Sequence, residues 1–498
     1  MGLRGEYGTE SMMSFFRCTV VISVGAAISL VNVDLATAQR QLNPTQRSTS
    51  PTSDQTTQPS DPLDPDPNPI LLPTKPDQVK LQETQAITLQ QAIDLAQRNN
   101  RELQVAALTL QRSQAALRQA QAALYPTLSS EAEIGYERTT QDRLNDLKYL
   151  NENSSPTGVL SGTVELSYDL FTFGRRPAQI RAAQQQVRVD QLEVERLKEQ
   201  IRLDITNAYY DVQQAGEEVR IAQAAITNNQ RSLQDAIALE EGGIGTRIDI
   251  SRARVQLSNT EQELIDAQNR QEIARRQLVQ LLSLGEAADI STADPVQPAG
   301  KWNLSLEESI ILAYQNRVEL QQQLAQRTIA QQQRQAEIAN TRPQINLFAS
   351  YQILNEFNEP FGTLDGYAVG ARLRWNMFDG GAARAAANQQ EANRAIAETR
   401  FAQTRNQVRF QVEQAYKTLQ ASDRSIQTAS AALKEAQNVL ENIRFRFQQG
   451  VGTQLDVITA QNDLTRADVN RLRAILSYNR ALAALQRAVS NLPTTKSP

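Results

Sequence analysis

Gly243-Ile-Gly-Thr-Arg-Ile-Asp249 returns 207 residues later as Gly450-Val-Gly-Thr-Gln-Leu-Asp456. A Gly-x-Gly-Thr tip followed by Asp, set between long helix-forming runs, reads as a turn that reverses one helix into another. The flanks repeat as well. Leu166-Ser-Tyr-Asp-Leu-Phe171 aligns with Leu373-Arg-Trp-Asn-Met-Phe378 at the same offset. Further upstream, Leu89-x-x-Ala-Ile and Asn99-Asn-Arg-Glu-Leu103 align with Leu306-x-x-Ser-Ile and Asn316-Arg-Val-Glu-Leu320 at an offset of 217, as do Pro126 and Pro343. The change of offset falls between Pro126 and Tyr168, so the chain is a tandem duplication with one loop longer in the first copy.

Composition agrees with long helices rather than several globular domains. The 498 residues are rich in Gln, Ala, Arg, Leu and Glu, and only 5% are aromatic, which are the side chains that cost least in a helix. The formal net charge of −4 offers no basic face for nucleic acid. There is no His, and the single Cys is Cys18, in a segment expected to be removed. That excludes imidazole acid–base chemistry, thiolate catalysis and an ordinary zinc site from the mature protein. No catalytic, cofactor-binding or metal-ligating residues are assigned.

In chain order, residues 1–38 are expected to be a secretory signal that begins in earnest at Met12 or Met13. Arg17 supplies the positive end, Cys18 to Val31 the apolar run, and Ala36-Thr-Ala38 the cleavage site. Residues 39–85 are dominated by Pro, Thr, Ser, Gln and Asp and read as a solvated tether. The first repeat is placed at 86–285 and the second at 304–490, with a connector at 286–303 and a disordered tail at 491–498. Thr88-x-x-Gln91 and Ser305-x-x-Glu308 are capping boxes that start each repeat. The helices they start are expected to run to about Leu124 and Asn340, stopped by Pro126 and Pro343.

The hydrophobic period then switches to two. Leu128, Ala132, Ile134 and Tyr136 alternate with Glu131, Glu133 and Glu137, and Val164, Leu166, Tyr168 and Leu170 alternate with Glu165 and Asp169. The second copy repeats the pattern from Ile345 to Ile353, with Phe348 out of phase, and from Tyr367 to Met377. Four strands, each apolar on one face, are joined in pairs by polar loops at Thr139–Gly158 and Asn355–Asp365. Either a half-buried soluble sheet or a transmembrane barrel gives this alternation; the secretory signal and the aromatics Tyr168, Phe171, Phe173, Trp375 and Phe378 near the strand ends favour the barrel. Two helices follow, Ala178 to Leu239 and Ala382 to Gln449, each able to reach about 90–100 Å. Ile180, Val187, Val194, Ile201 and Ala208 recur every seven residues, as in coiled coils. The tips return the chain through Arg247–Leu284 and Gln454–Val489.

Four strands cannot close a barrel through a membrane, for which about eight is the lower limit, and open edges are not tolerated in lipid. The chain is therefore expected to associate through its sheet. Three copies give twelve strands above a helical cylinder, which is a channel.

This ordered set, present twice, resembles the TolC family of outer-membrane efflux proteins. The resemblance covers Thr88 to about Ser490, and the Pro-rich leader is similar to that of cyanobacterial members. It implies a mainly α protein with a small β portion: long α-helical hairpins forming an α-barrel, plus four strands per protomer of a trimeric twelve-stranded transmembrane β-barrel. It also implies an outer-membrane location with helices in the periplasm of a Gram-negative-type cell. The partners it implies are a periplasmic adaptor and an inner-membrane RND or ABC transporter, in a tripartite efflux or type I secretion system. Adaptor docking would fall to the tips Ile244, Gly245, Thr246, Val451, Gly452 and Thr453, and the entrance constriction to Asp249 and Asp456. The sequence departs from the family at the gate. A second acidic position corresponds to Thr459, the gate Tyr to Gln449 and the gate Arg to Gln454, while Arg247 holds the matching place in the first copy. An ion link closing the entrance is thus expected to use Arg247 with Asp249 or Asp456. Thr246-x-x-Asp249 and Thr453-x-x-Asp456 are also helix-capping patterns, so each Asp has a structural role open to it beside the gating one. The competing non-enzymatic reading is a periplasmic coiled-coil adaptor, which needs lipoyl-like and β-barrel modules that the sequence lacks. A carboxylate-pair hydrolase would need converging acids, whereas Glu131, Glu133 and Glu165 read as a wetted lumen lining.

Overall fold

The computed structural model describes Leu63, Ile70 and residues 72–81, 83–137, 140, 144, 147–148, 157–285, 287–357 and 362–490. The signal segment, most of the 39–85 tether, most of the Thr139–Gly158 loop, residues 358–361 of the second strand-joining loop and the 491–498 tail lie outside the described residues. Where the tether is described it carries a short 3-10 turn at Pro76–Val79, and Leu63 O accepts a hydrogen bond from Asn99.

The elements in order are β1 (Gln85–Ile87), α1 (Leu89–Asn99), α2 (Arg101–Ala122), β2 (Thr127–Glu137), β3 (Thr157–Phe171), α3 (Arg175–Glu241) and α4 (Arg247–Leu282). The second half runs β4 (Ile290–Thr292), α5 (Leu306–Asn316), α6 (Val318–Ala339), β5 (Gln344–Glu356), β6 (Thr363–Arg374), α7 (Ala382–Gln448) and α8 (Gln454–Val489). Corresponding helices have equal lengths of 11, 22, 67 and 36 residues in both halves. The duplication is thus one of structure as well as sequence.

The single helix expected from Thr88 to about Leu124 is two helices. Both capping boxes form as expected, but the first helix stops at Asn100, whose φ of −60° and ψ of 124° leave the helical region. The Asn100 side chain then accepts from Leu103 N at 3.1 Å and caps the next helix. A residue of this type competes with the helix for backbone hydrogen bonds, so a break is cheap there. In the second copy Arg317 stands at the same break with no side-chain cap.

The four long strands form one antiparallel sheet in the order β2-β3-β5-β6. Its register puts Glu131, Glu133, Glu165, Ser350 and Arg372 on one face and Leu128, Ile134, Leu166, Leu347 and Val369 on the other. Phe348 falls on the polar face, where Gly370 opposite leaves room for its ring and the Arg372 guanidinium lies 5.1 Å from its centroid. The apolar face of β2 and β6 is exposed, from Leu128 and Ile134 to Val369 and Leu373.

The helices pack side by side in two levels. On the strand side the neighbours run α2-α3-α6-α7, and on the tip side α4-α3-α8-α7. Small-residue and aliphatic seams hold them together, such as Ile201, Ile205 and Ala208 of α3 and Val408, Val412 and Ala415 of α7. Where the two levels meet, β1 and β4 pair in parallel, two short strands that the sequence pattern did not disclose. Tyr209 anchors them, its hydroxyl 2.7 Å from Asp294 Oδ2 and 3.0 Å from Ile87 O. Burial raises the Tyr209 pKa first of all, so the phenol stays protonated and donating.

Candidate functional site

Each tip is two capping motifs back to back. After α3, Gly243 turns left-handed at φ 74°, its N–H donates to Glu240 O and that of Ile244 donates to Leu239 O. After α7, Gly450 does the same at φ 72°, with Gly450 N donating to Phe447 O and Val451 N to Arg446 O. These are Schellman endings, which need a residue free to adopt positive φ. A capping box then opens the return helix. Thr246 N and Oγ1 donate to Asp249 Oδ2 at 3.2 and 2.6 Å, and Asp249 N donates to Thr246 Oγ1. Thr453 N and Oγ1 donate to Asp456 Oδ2 at 3.1 and 2.7 Å.

The middle glycines are held by close approach. A Cβ on Gly245 would lie 2.8 Å from Glu240 N, and one on Gly452 3.1 Å from Phe447 N. The two tips also meet: Ile244 Cγ2 is the atom a Cβ on Gly450 would strike. Behind them Ala236, Ala253, Phe447 and Val457 form a buried cluster that joins both hairpins. Ile244 and Val451 stay exposed at the apex.

The structure brings all nine residues of interest to one end of the molecule, with different surroundings. Asp249 and Asp456 are both occupied in capping. The Thr453 hydroxyl, and then its backbone N–H, hold the Asp456 carboxyl below its ordinary value of 3.8. Arg247 is 94% exposed, and within the protomer its ion pair is with Glu240, at 3.7 Å. Gln454, at the matching place, is 1% exposed and donates from Nε2 to Ser232 Oγ at 2.9 Å. Thr459 is exposed and bonds to its own helix at Leu455 O. The repeated pattern itself gives no sign that one copy's first helical residue faces solvent and the other's, Gln454, a seam.

Among the described residues no group of acids, Cys or His is placed to hold a metal ion, and no helix is long and apolar enough to cross a membrane. What the chain offers instead is an amphipathic sheet joined to paired hairpins, which is the fold of a TolC-type channel protein. Comparison with known proteins agrees. The family model described as Outer membrane efflux protein matches residues 92–284 and 310–491, once in each half. Nodulation protein T of Rhizobium leguminosarum bv. trifolii is 22% identical, covering 69% of this chain and 74% of its own. The pyoverdine export outer membrane protein OpmQ of Pseudomonas putida is also 22% identical, covering 80% and 85%. The fold matches the CmeC outer membrane channel of Campylobacter jejuni with a TM-score of 0.72 at 16% identity, covering 86% of this chain and 94% of that one. The chain belongs to the outer membrane efflux protein family, and it is an efflux channel rather than an enzyme or an adaptor.

Proposed function

We propose that three copies of the chain close a twelve-stranded barrel in the outer membrane of a Gram-negative-type cell, with the hairpins forming a tunnel through the periplasm. A periplasmic adaptor and an inner-membrane RND or ABC transporter deliver solutes to that tunnel, in efflux or in type I secretion. The observation that carries this reading is the sheet. Its order leaves β2 and β6 as unpaired edges and its apolar face bare, a state stable in lipid only once the edges are paired. The lateral margins of the helical wall support it. Ile248, Val255 and Ile273 on α4 and Ile396, Phe410 and Phe445 on α7 are exposed, as faces awaiting another copy would be. Charge is complementary too. Glu131 and Glu133 stand on β2 and Arg372 and Arg374 on β6 along one face, so the two edges differ in charge.

Native mass spectrometry of the detergent-extracted protein tests the assembly, with three chains expected; a monomer soluble without detergent overturns it. The tips Ile244-Gly245-Thr246 and Val451-Gly452-Thr453 are the adaptor contacts in this reading, supported by two exposed aliphatic side chains on tightly fixed backbone. Ile244→Asp with Val451→Asp is expected to abolish adaptor binding while leaving the trimer intact. Three-fold symmetry makes Asp249 and Asp456 rings of three carboxylates, with Arg247 beside them, at the entrance. Unchanged conductance and cation block in Asp249→Ala and Asp456→Ala channels would remove that role and leave capping alone.

A further inference from the structure

At the level where α6 begins and α8 ends, a cleft of about 1010 Å³ opens between α3 and α7. Its walls carry four guanidiniums, Arg196, Arg317, Arg480 and Arg487, and two carboxylates, Asp211 and Glu319. Arg480 is paired with Asp211 at 2.6 Å. Arg196 is paired with Glu193, just outside the cleft, at 2.7 Å. Arg317 and Arg487 share what is left. Arg317 forks onto Glu319 through Nε and Nη2 at 2.9 and 3.0 Å, and Arg487 Nη2 reaches the same carboxylate at 2.7 Å. At Glu319 two guanidiniums therefore share one carboxylate, on side chains only 7% and 9% exposed.

Neutral groups complete part of the hydrogen bonding but none of the charge. Arg317 Nη1 donates to Ala488 O and Arg487 Nη1 donates to Ser490 Oγ. The ends of α6 and α8 oppose one another in sign, so their dipoles cancel to first order. Arg487 Nε, buried, has no partner among the described residues. Burial, only partly offset by Glu319 and reinforced by the nearby charge of Arg487, holds the Arg317 pKa below the usual guanidinium range. A buried charge without a counter-charge is costly, and the rest of the cleft is built of neutral hydrogen-bonding side chains, Gln200 and Asn207 on α3 and Gln407, Gln411 and Gln414 on α7.

We propose that this cleft is an oxyanion site, in which Arg487 and Arg317 hold a phosphate, sulfate or carboxylate group whose remaining oxygens face the carboxamides of α7. It lies in the wall of the helical region, far along the chain from the tips, and does not depend on adaptor or pump. In the first copy Asn100, at the place of Arg317, caps its helix and donates to Leu281 O, so the site belongs to the second half only.

Isothermal calorimetry of the detergent-extracted full chain with inorganic phosphate, against sodium chloride of equal ionic strength, tests it. Saturable binding of one phosphate per chain is expected, weakened about tenfold or more by Arg487→Gln, since a charge-assisted hydrogen bond is lost. No saturable heat, or an unchanged affinity in a correctly assembled Arg487→Gln protein, overturns the proposal. Should that variant fail to assemble, cryo-electron microscopy of the unaltered protein with and without phosphate decides. A phosphate-dependent density peak within hydrogen-bonding distance of the Arg487 or Arg317 guanidinium supports the site, and two identical maps refute it.

Discussion

The two hairpin tips have the same backbone and different surroundings. Both end in a left-handed glycine and restart with a Thr-x-x-Asp box, yet the first residue of α4 is an exposed Arg247 and that of α8 a buried Gln454. The reason is position in the wall. α8 lies against α3 of the other hairpin, so its start meets Ser232, whereas α4 lies at the margin and its start meets solvent. A duplicated turn keeps its local hydrogen bonding because that is dictated within a dozen residues. The side chains beside it diverge because each copy has a different neighbour.

The widest separation between the tips is expected from exchanging those two residues. Gln454→Arg places a charge without a counter-ion in the seam between hairpins and should cost about 3 kcal/mol. Arg247→Gln should stay within about 0.5 kcal/mol, as for an exposed surface change. Hydrogen exchange in the first turns of α4 and α8 reads both, and equal losses in the two turns would break the comparison. The glycines sharpen it by a smaller margin. Gly245→Ala drives a Cβ to 2.8 Å from a backbone nitrogen, and Gly452→Ala to 3.1 Å, so losses of about 2 and 1 kcal/mol in tip protection are expected. The reverse order would mean that the tips relax differently from their static geometry.

Much of the architecture could be read from the sequence because it is local. Capping boxes, period-two strands and the tip glycines announce themselves within short windows, and each is found, although β3 starts earlier, at Thr157, and β6 ends earlier, at Arg374, than the alternation suggests. What could not be read depends on contacts across the fold. The break at Asn100 is a one-residue choice between two nearly equal backbone states, decided by a cap and by the Leu281 carbonyl 181 residues away. β1 and β4 have three residues each and exist through pairing with one another. Phe348 is out of phase, and what accommodates it could not be read locally because the space made by Gly370 and the stacking of Arg372 lie on a different strand. Within the protomer Arg247 pairs with Glu240 at the end of the preceding helix, whereas the link expected of it at the entrance, with Asp249 or Asp456, concerns the assembled channel.

The smallest expected differences concern the caps, where the tips should behave alike. Thr246→Ala and Thr453→Ala each remove an N-cap hydroxyl and should cost about 1 kcal/mol of local helix stability, seen as matching losses of amide protection. Acid offers a finer probe at Asp456. Its carboxyl is lowered in the folded tip by the Thr453 hydroxyl and backbone N–H. A depressed folded pKa means the cap's contribution is complete above the ordinary carboxylate value and is lost as pH falls through the lowered one. Protection of the Asp456 and Val457 amides should therefore hold from about pH 6 to about pH 4 and decline only below that. A decline that begins above the ordinary carboxylate range would show that the Thr453 hydrogen bonds do not stabilise the charged form, and the likeness of the two caps would then be one of shape without shared energetics.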